Sequence, residues 1–373
     1  MMNITNARIV TQQGIIENGS VIIENGRIKE VTERRVDGLD AKGMFLLPGL
    51  VDLHGDDLEK EIFPRGKAFP IDPALHNTDM KMAASGITTK LHAIAFYENE
   101  LKNRSMKVSR NILISLKKGH FLVKHFVHAR CELTNEESVN EVNHLIEDEL
   151  VKLVSVMVHA PGLKQFKDEK SFNEVYSSIF KFSESELKEI GTKKLESIPL
   201  IKERLKRIVG KALSHGIVVA SHDDDCEDDV KRHFELGIRL SEFPVNIEAA
   251  RKAKELGMFV SMGAPNVVRG TSHTGNLGAL DALEKNAVDI LCSDYYPSSM
   301  LASIFILEQN GIGIIQACNL VSLNPARFLG MDKEIGSIET GKRADLILVN
   351  CDSGFPRVIK TIVGGKEVFS LHE

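Results

Sequence analysis

Six residues of metal-ligand type stand at the polar ends of short apolar runs: His54 and Asp56 in LLPGLVDLHGDD, Glu132 in FVHARCEL, His159 in LVSVMVHAPG, His222 in GIVVASHDDD and Asp294 in VDILCSDYYP. Side chains two apart on an extended strand point the same way, so one strand can offer the His54 imidazole and the Asp56 carboxylate to one ion. Imidazole and carboxylate together suit zinc, manganese or iron better than calcium or magnesium. Taken alone, a histidine beside a strand is more often a hydrogen-bonded structural residue than a ligand. Five separate strand ends carrying such residues change the balance, because in a parallel barrel the strand C-termini open on one face and catalytic side chains come from several of them.

The rest of the chain supplies the elements that such a site needs. Eight apolar runs read as strands near 49–54, 87–95, 121–132, 150–158, 217–222, 239–244, 258–263 and 288–293, with helical patterns between most of them. PALHNTDMKMAASG ends at Gly86 and NIEAARKAKELG at Gly257, as helices with a glycine C-cap do. An insertion at about 164–214 reads as two helices, KFSESELKEIG with the capping-box pattern Ser183-x-x-Glu186, then IPLIKERLKRIVGKALSHG. A lid over the site and a helical excursion on the barrel flank are both open readings of it. Both chain ends alternate in the β manner, with Asn-Gly turns at Asn18-Gly19 and Asn25-Gly26. The expected architecture is therefore α/β: a (β/α)8 TIM barrel over 49–331, and a small discontinuous β-sandwich domain from 1–48 and 332–373.

Composition sets limits without naming the chemistry. With 43% hydrophobic and 27% charged residues, the 373-residue chain has the make-up of a soluble globular protein. Its net charge of −5 disfavours a nucleic-acid partner, and an anionic ligand would have to meet a local cluster of cations. The start MMNITNARIVTQQG lacks a basic stretch followed by an apolar core, and no run approaches the roughly 20 apolar residues of a membrane span. A cytoplasmic protein with no membrane partner is expected. The five cysteines are odd in number, scattered and never in C-x-x-C spacing, which argues against a disulfide framework.

The β unit built from both ends, the PGLVDLH entry to the barrel, the NPARFLG helix and the closing GSIETGKRADLILV resemble the amidohydrolase superfamily over almost the whole chain. HGDDLEK with PRG after it, HARCEL, HAPGLKQF, ASHDDD, SEFP and SDYYP resemble its phosphonate-utilisation branch, the triphosphoribosyl phosphonate diphosphatases. That branch has His-x-Asp where most of the superfamily has His-x-His, and His54-Gly-Asp56 matches it. The chain departs from the branch at Glu61, where histidine is usual, at Val158, where aspartate is usual, and at Lys164, which stands for an arginine. Lysine cannot reproduce the bidentate fork of a guanidinium.

The resemblance implies two divalent ions, zinc foremost, with manganese or iron as alternatives. In it His54 and Asp56 hold one ion, His159 and His222 the second, and Glu132 bridges them. Asp294 touches one ion and accepts a proton from the attacking water. The implied reaction is hydrolysis of a phosphoanhydride in a 5-triphosphoribosyl 1-phosphonate with release of pyrophosphate, so the partner is a small phosphorylated molecule; a homo-oligomer is left open. The alternative is a hydrolase of an amide or amidine bond, such as a deacetylase, cyclic-amide hydrolase or deaminase, which the departures at Glu61, Val158 and Lys164 permit. Candidate phosphate-binding cations are Lys60, Arg65, Lys90, Arg130, Lys164 and Arg269. Arg130 is the best placed, because it shares a strand direction with Glu132. The Gly-, Ser- and Asn-rich stretch 263–278 could add backbone donors. Among the acids after His222, Asp225, Asp228 and Asp229 read as helix-capping residues, while Asp223 is open between orienting His222 and binding an ion. His92 is expected to line the pocket, and His125 and His128 to pack or face solvent.

Overall fold

The computed structural model describes residues 2–65, 67–96, 105–166, 168–180, 182–272, 276–352 and 354–372. Eight strands follow one another around a parallel sheet in strict chain order: Leu50–Gly55, Ile87–Ala95, Lys124–Glu132, Val151–Met157, Val218–His222, Leu240–Glu242, Phe259–Gly263 and Ile290–Cys292. Their runs are continuously apolar because a parallel strand is covered on both faces. Between the first and last of these strands a parallel bridge joins Gly55 to Asp294, with Asp56 N donating to Asp294 O at 2.8 Å and Asp294 N to His54 O at 2.9 Å. The two residues expected at opposite ends of the barrel sequence thus meet across its seam.

Side chains fill the barrel below the mouth. Leu53, Leu91, Leu153, Ala220, Leu240 and Ile290 pack with Phe328, which the NPARFLG helix (Leu323–Phe328) contributes. Each such side chain contributes roughly 1.5–3 kcal/mol by leaving water. This floor is dry, so the polar groups above it have no route to solvent from beneath.

The chain ends form one eight-stranded sheet of their own, from Met2–Thr11, Gly14–Glu24, Arg27–Thr32, Leu39–Asp40 and Phe45–Pro48 at the start and Leu346–Asn350, Arg357–Val363 and Lys366–Ser370 at the end. The sheet curls until the turn at Gly26 meets the chain before Leu346, where Ala344 N donates to Gly26 O at 2.9 Å. Ile4, Val21, Ile28, Leu346 and Ile362 make its own core. Phe45, Leu47, Ile347 and Val349 pack instead against the barrel helices.

The insertion contains three helices, not two: Glu169–Phe180, Glu184–Glu196 and Ile201–Ser214. The first lies in KSFNEVYSSIF, whose Phe172 and Tyr176, one turn apart, carried the missed signal. These rings pack with Phe166, Met157, Ala95 and Leu187, which fixes the insertion to the top of the barrel. Ser183 closes the expected capping box with Glu186 at the start of the second helix. Along that helix Leu187, Gly191 and Lys194 form one buried stripe. A Cβ at Gly191 would stand 3.3 Å from Pro161 Cγ, so the helix lies close against the turn that follows His159.

Candidate metal centre

The strand ends deliver their polar side chains to one place. His54, Asp56 and Asp294 bring ligand atoms within 4.8 Å of one another, and so do His159, His222 and Asp223. The His54 and His222 rings are 6.0 Å apart between centroids, and His222 and His159 are 5.8 Å apart. Arg130 lies between the groups, with Nη1 3.6 Å from Asp56 Oδ2 and Nη2 3.3 Å from His222 Nε2.

Two further residues join this ring without having been expected there. His128 and Glu242 form a third group with His54, in which Glu242 Oε1 is 2.9 Å from His54 Nδ1. The signals were present in the sequence. His128, Arg130 and Glu132 occupy alternate positions of one strand and share its inward face, and Glu242 lies in the SEFP motif, two residues beyond the floor residue Leu240. Asp223 is settled as a member of the ring, 2.9 Å from His222 Nδ1 and 3.6 Å from His159 Nε2.

Glu132 stands behind His159 and belongs to none of these groups. Its Oε2 is 3.1 Å from His159 Nδ1, while Oε1 accepts from Thr134 Oγ1 at 2.6 Å and from Thr134 N at 3.1 Å. A carboxylate holding Nδ1–H leaves the Nε2 lone pair of the same ring for an ion.

The donor set fits a divalent ion. His128 Nε2, His159 Nε2, His222 Nδ1, Asp223 Oδ2 and Glu242 Oε2 are buried and have no hydrogen-bond partner among the described residues. A buried polar atom left this way costs about 1–3 kcal/mol; His222 Nδ1 and Asp223 Oδ2 meet each other at 2.9 Å without hydrogen-bond geometry, and a bound ion would engage the set. Nitrogen and carboxylate oxygen are the donors of zinc, manganese and iron sites.

Charge in the ring is strongly coupled. Burial opposes a charged His54, yet the Glu242 carboxylate raises its pKa above the ordinary histidine value. Burial and the neighbouring cations push His128 down to about 3, so that ring is neutral. Glu242 is held at about 2 despite its burial, chiefly by the charge and hydrogen bond of His54. Asp294 moves the other way, up to about 7, because it is buried and faces the Asp56 carboxylate. Its backbone has φ +52, a left-handed conformation that turns the side chain toward the ring at the barrel seam.

The other expected cations lie at differing depths. Lys60 is exposed with Nζ 4.6 Å from the Tyr295 ring, and Arg269 donates to Tyr295 Oη, so both reach the rim beside Asp294. Arg65 is exposed. Lys164 is occupied by Asp229 at 2.8 Å and Asp224 at 3.8 Å. Lys90 is fully buried and donates to Asp52, Asp57 and Ser293 at 2.7, 2.6 and 3.1 Å, so it does not face a substrate. The stretch 263–278 begins with the helix Ala264–Arg269, and residues 273–275 lie outside the described residues.

Glu61 accepts from Asn77 and Lys81, both at 2.5 Å, and Val158 packs in the large apolar core. None of the three departures from the branch pattern therefore faces the ring. Of the acids after His222, Asp224 binds His233 Nδ1 at 2.8 Å, and the helix Glu227–Glu235 is capped at Cys226 without a side-chain bond, so Asp225 does not cap it. His92 lines a small cavity beside Asp56 and bonds His125 at 2.8 Å, which in turn meets Asp79 at 3.0 Å. His125 is thus buried and tied down.

Comparison with known proteins agrees with this geometry. The amidohydrolase family model matches residues 74–368. The chain is 34% identical over 381 residues to alpha-D-ribose 1-methylphosphonate 5-triphosphate diphosphatase of Escherichia coli strain K12, covering 99% of this chain and all of that protein. It is 23% identical to imidazolonepropionase of Thermoplasma volcanium, over 90% of this chain and 85% of the relative. Among solved structures, the L-hydantoinase of Arthrobacter aurescens superposes with a TM-score of 0.64 at 15% identity, covering all of this chain and 96% of that one.

Proposed function

The chain belongs to the amidohydrolase family, and from that premise we propose that it is a metal-dependent diphosphatase. It cleaves the phosphoanhydride of a 5-triphosphoribosyl 1-phosphonate and releases pyrophosphate. The end-to-end likeness to the Escherichia coli phosphonate enzyme supports this reading most. The position of Glu61, Val158 and Lys164 away from the ring adds to it, because the amide alternative leaned on those departures.

In this reading His54, Asp56 and Asp294 hold one divalent ion and His159, His222 and Asp223 the other, zinc foremost, within the barrel domain at 49–331. His128 and Glu242 close the ring beneath, and Glu132 orients His159. Bound ions would supply Lewis acidity and lower the pKa of the attacking water. Asp294 would accept a proton from the attacking water as the water oxygen bonds to phosphorus. Its place at the end of the last strand, beside Asp56 and His54, is what suits it to that task. The phosphorus–oxygen bond to the departing pyrophosphate breaks, and the pair of electrons leaves with pyrophosphate, which needs no strong acid. Arg130, 5% exposed and aimed between the two groups, holds an oxygen of the attacked phosphoryl. Lys60 and Arg269 meet the outer phosphates at the rim. No helix among the described residues is long and apolar enough to cross a membrane, which suits a cytoplasmic enzyme acting on a small dissolved substrate.

The test is pyrophosphate release from a 5-triphosphoribosyl phosphonate by metal-replete protein, alongside Arg130→Met. The variant should lose about 1.5–3 kcal/mol in kcat/KM, the range for a charge-assisted hydrogen bond. Absence of release together with turnover of a cyclic amide or N-acyl compound would establish the amide reading instead.

A further inference from the structure

Lys194 is a lysine with 1% of its surface exposed, and it comes from the helical insertion rather than from the barrel. An ammonium is almost never buried without a charged or polar purpose. Its Nζ donates to Thr134 Oγ1 at 3.1 Å and lies 3.8 Å from Glu132 Oε2. Thr134 Oγ1 passes the contact on by donating to Glu132 Oε1 at 2.6 Å. Glu132 Oε2 then meets His159 Nδ1 at 3.1 Å. The far nitrogen of that ring, Nε2, is the buried atom without a hydrogen-bond partner that faces Asp223 and His222.

We infer that Lys194 is a positioning residue of the metal centre: through Thr134 and Glu132 it fixes the His159 ring with Nε2 toward the ion. The insertion is therefore part of the centre's wall. Its second helix is held against Pro161, two residues beyond His159, so the contact is supported from both ends. Without the ammonium, the Glu132 carboxylate would lose the cation beside its Oε2 and the Thr134 hydroxyl its outer anchor, leaving the carboxylate less firmly held against His159. The inference rests on the proposed reading of the ring as a metal site, and goes beyond it by assigning a role to a residue outside the barrel.

The experiment measures ion affinity directly, by titrating zinc or manganese into chelator-stripped full-length protein, for wild type, Lys194→Met, Glu132→Gln, the double variant and Thr134→Val. Partners of metal-bound histidines typically change affinity by about 10–100-fold when removed. Lys194→Met should weaken the ion in the His159 group by that factor, and the double variant should be no weaker than Glu132→Gln, because both act on one ring. Lys194→Arg should recover part of the loss. Additive losses in the double variant, or wild-type ion affinity with only KM raised in Lys194→Met, would overturn the inference; the second result would make Lys194 a substrate contact. Should Lys194→Met not fold, Thr134→Val carries the decision: wild-type ion affinity there overturns the inference, and a weakened ion supports it. If wild type binds no ion, the reading of the centre fails and this inference with it. If it binds ions as expected but releases no pyrophosphate, only the proposed reaction fails.

Discussion

Two buried polar clusters lie side by side where the barrel closes, and they differ in whether their bonds are complete. The first is Lys90 with Asp52, Asp57 and Ser293. Lys90 Nζ finds three acceptors for three hydrogens, and Asp52 takes the Ser293 backbone N at 2.9 Å as well as its hydroxyl at 2.5 Å. Gly55 leaves the room for this, since a Cβ there would collide with Lys90 Nζ. The second is the ring of His54, His128, His159, His222, Asp223 and Glu242, in which five buried atoms have no hydrogen-bond partner among the described residues. Both clusters pair opposite charges in a dry interior, so burial and charge alone do not separate them. Completion does: the Lys90 cluster locks the seam from which Asp56 and Asp294 project, and the ring is preorganised for something that binds.

The largest effect should come from the open cluster's proposed base. Asp294→Asn should lower turnover by on the order of 100- to 10,000-fold with the fold retained, measured by pyrophosphate release and circular dichroism together. Near-wild-type turnover with ions bound would move the base elsewhere.

The closed cluster should answer in stability. Lys90→Met leaves two buried carboxylates facing each other and should cost about 3–5 kcal/mol in urea unfolding, since removing one partner of a buried pair strands the other charge. An unchanged midpoint would erase the distinction drawn above. Burial would lower the Lys90 pKa, but Asp52 and Asp57 raise it above the ordinary lysine value. A raised lysine stabilises fully below its unfolded pKa of about 10.4 and loses that contribution as pH climbs through the higher folded value. Wild type should therefore show an alkaline loss of stability that Lys90→Met lacks.

Removing ions should affect the open cluster alone. Chelation should lower the thermal midpoint, with zinc or manganese restoring it; an ion at one hundred times its Kd adds about 2.7 kcal/mol. A midpoint indifferent to both treatments would mean that the open ring binds no ion. The smallest effect belongs to the rim, where Lys60→Met should raise KM by the equivalent of about 0.2–1 kcal/mol, as for an exposed charge. A loss as large as that of Arg130→Met would place Lys60 inside the site.

Periodicity and residue type made much of this molecule legible. Strand periods of two and apolar runs gave all eight barrel strands within a few residues, because a parallel strand covered on both faces has few alternatives to a short β-branched run. Glycines at 86 and 257 marked helix ends because their left-handed backbone, φ +79 and +77, is one that other residues adopt at a cost. The strand-end rule brought His54, Asp56, His159, His222 and Asp294 together, since each sits where its strand stops.

What the sequence left open depended on distance in space. His128 is two turns of the pleat below Glu132, and nothing local distinguishes a histidine that faces the mouth from one that packs. Glu242 becomes meaningful only when its Oε1 reaches across the barrel to within 2.9 Å of His54 Nδ1 on the first strand. Lys60, Lys90, Lys164 and Lys194 are one residue type, yet one lies over a tyrosine at the rim, two are tied to aspartates, and one is aimed at Glu132. By itself the sequence determined the barrel, its strands and which polar residues stand at their ends, because period and capping act over a few neighbouring residues. The tertiary structure alone decided which charges are satisfied and which are held open, because that depends on partners far apart in the chain, such as Asp52 and Ser293, whose numbers differ by 241, and on a low-dielectric interior that exists only once the chain has closed.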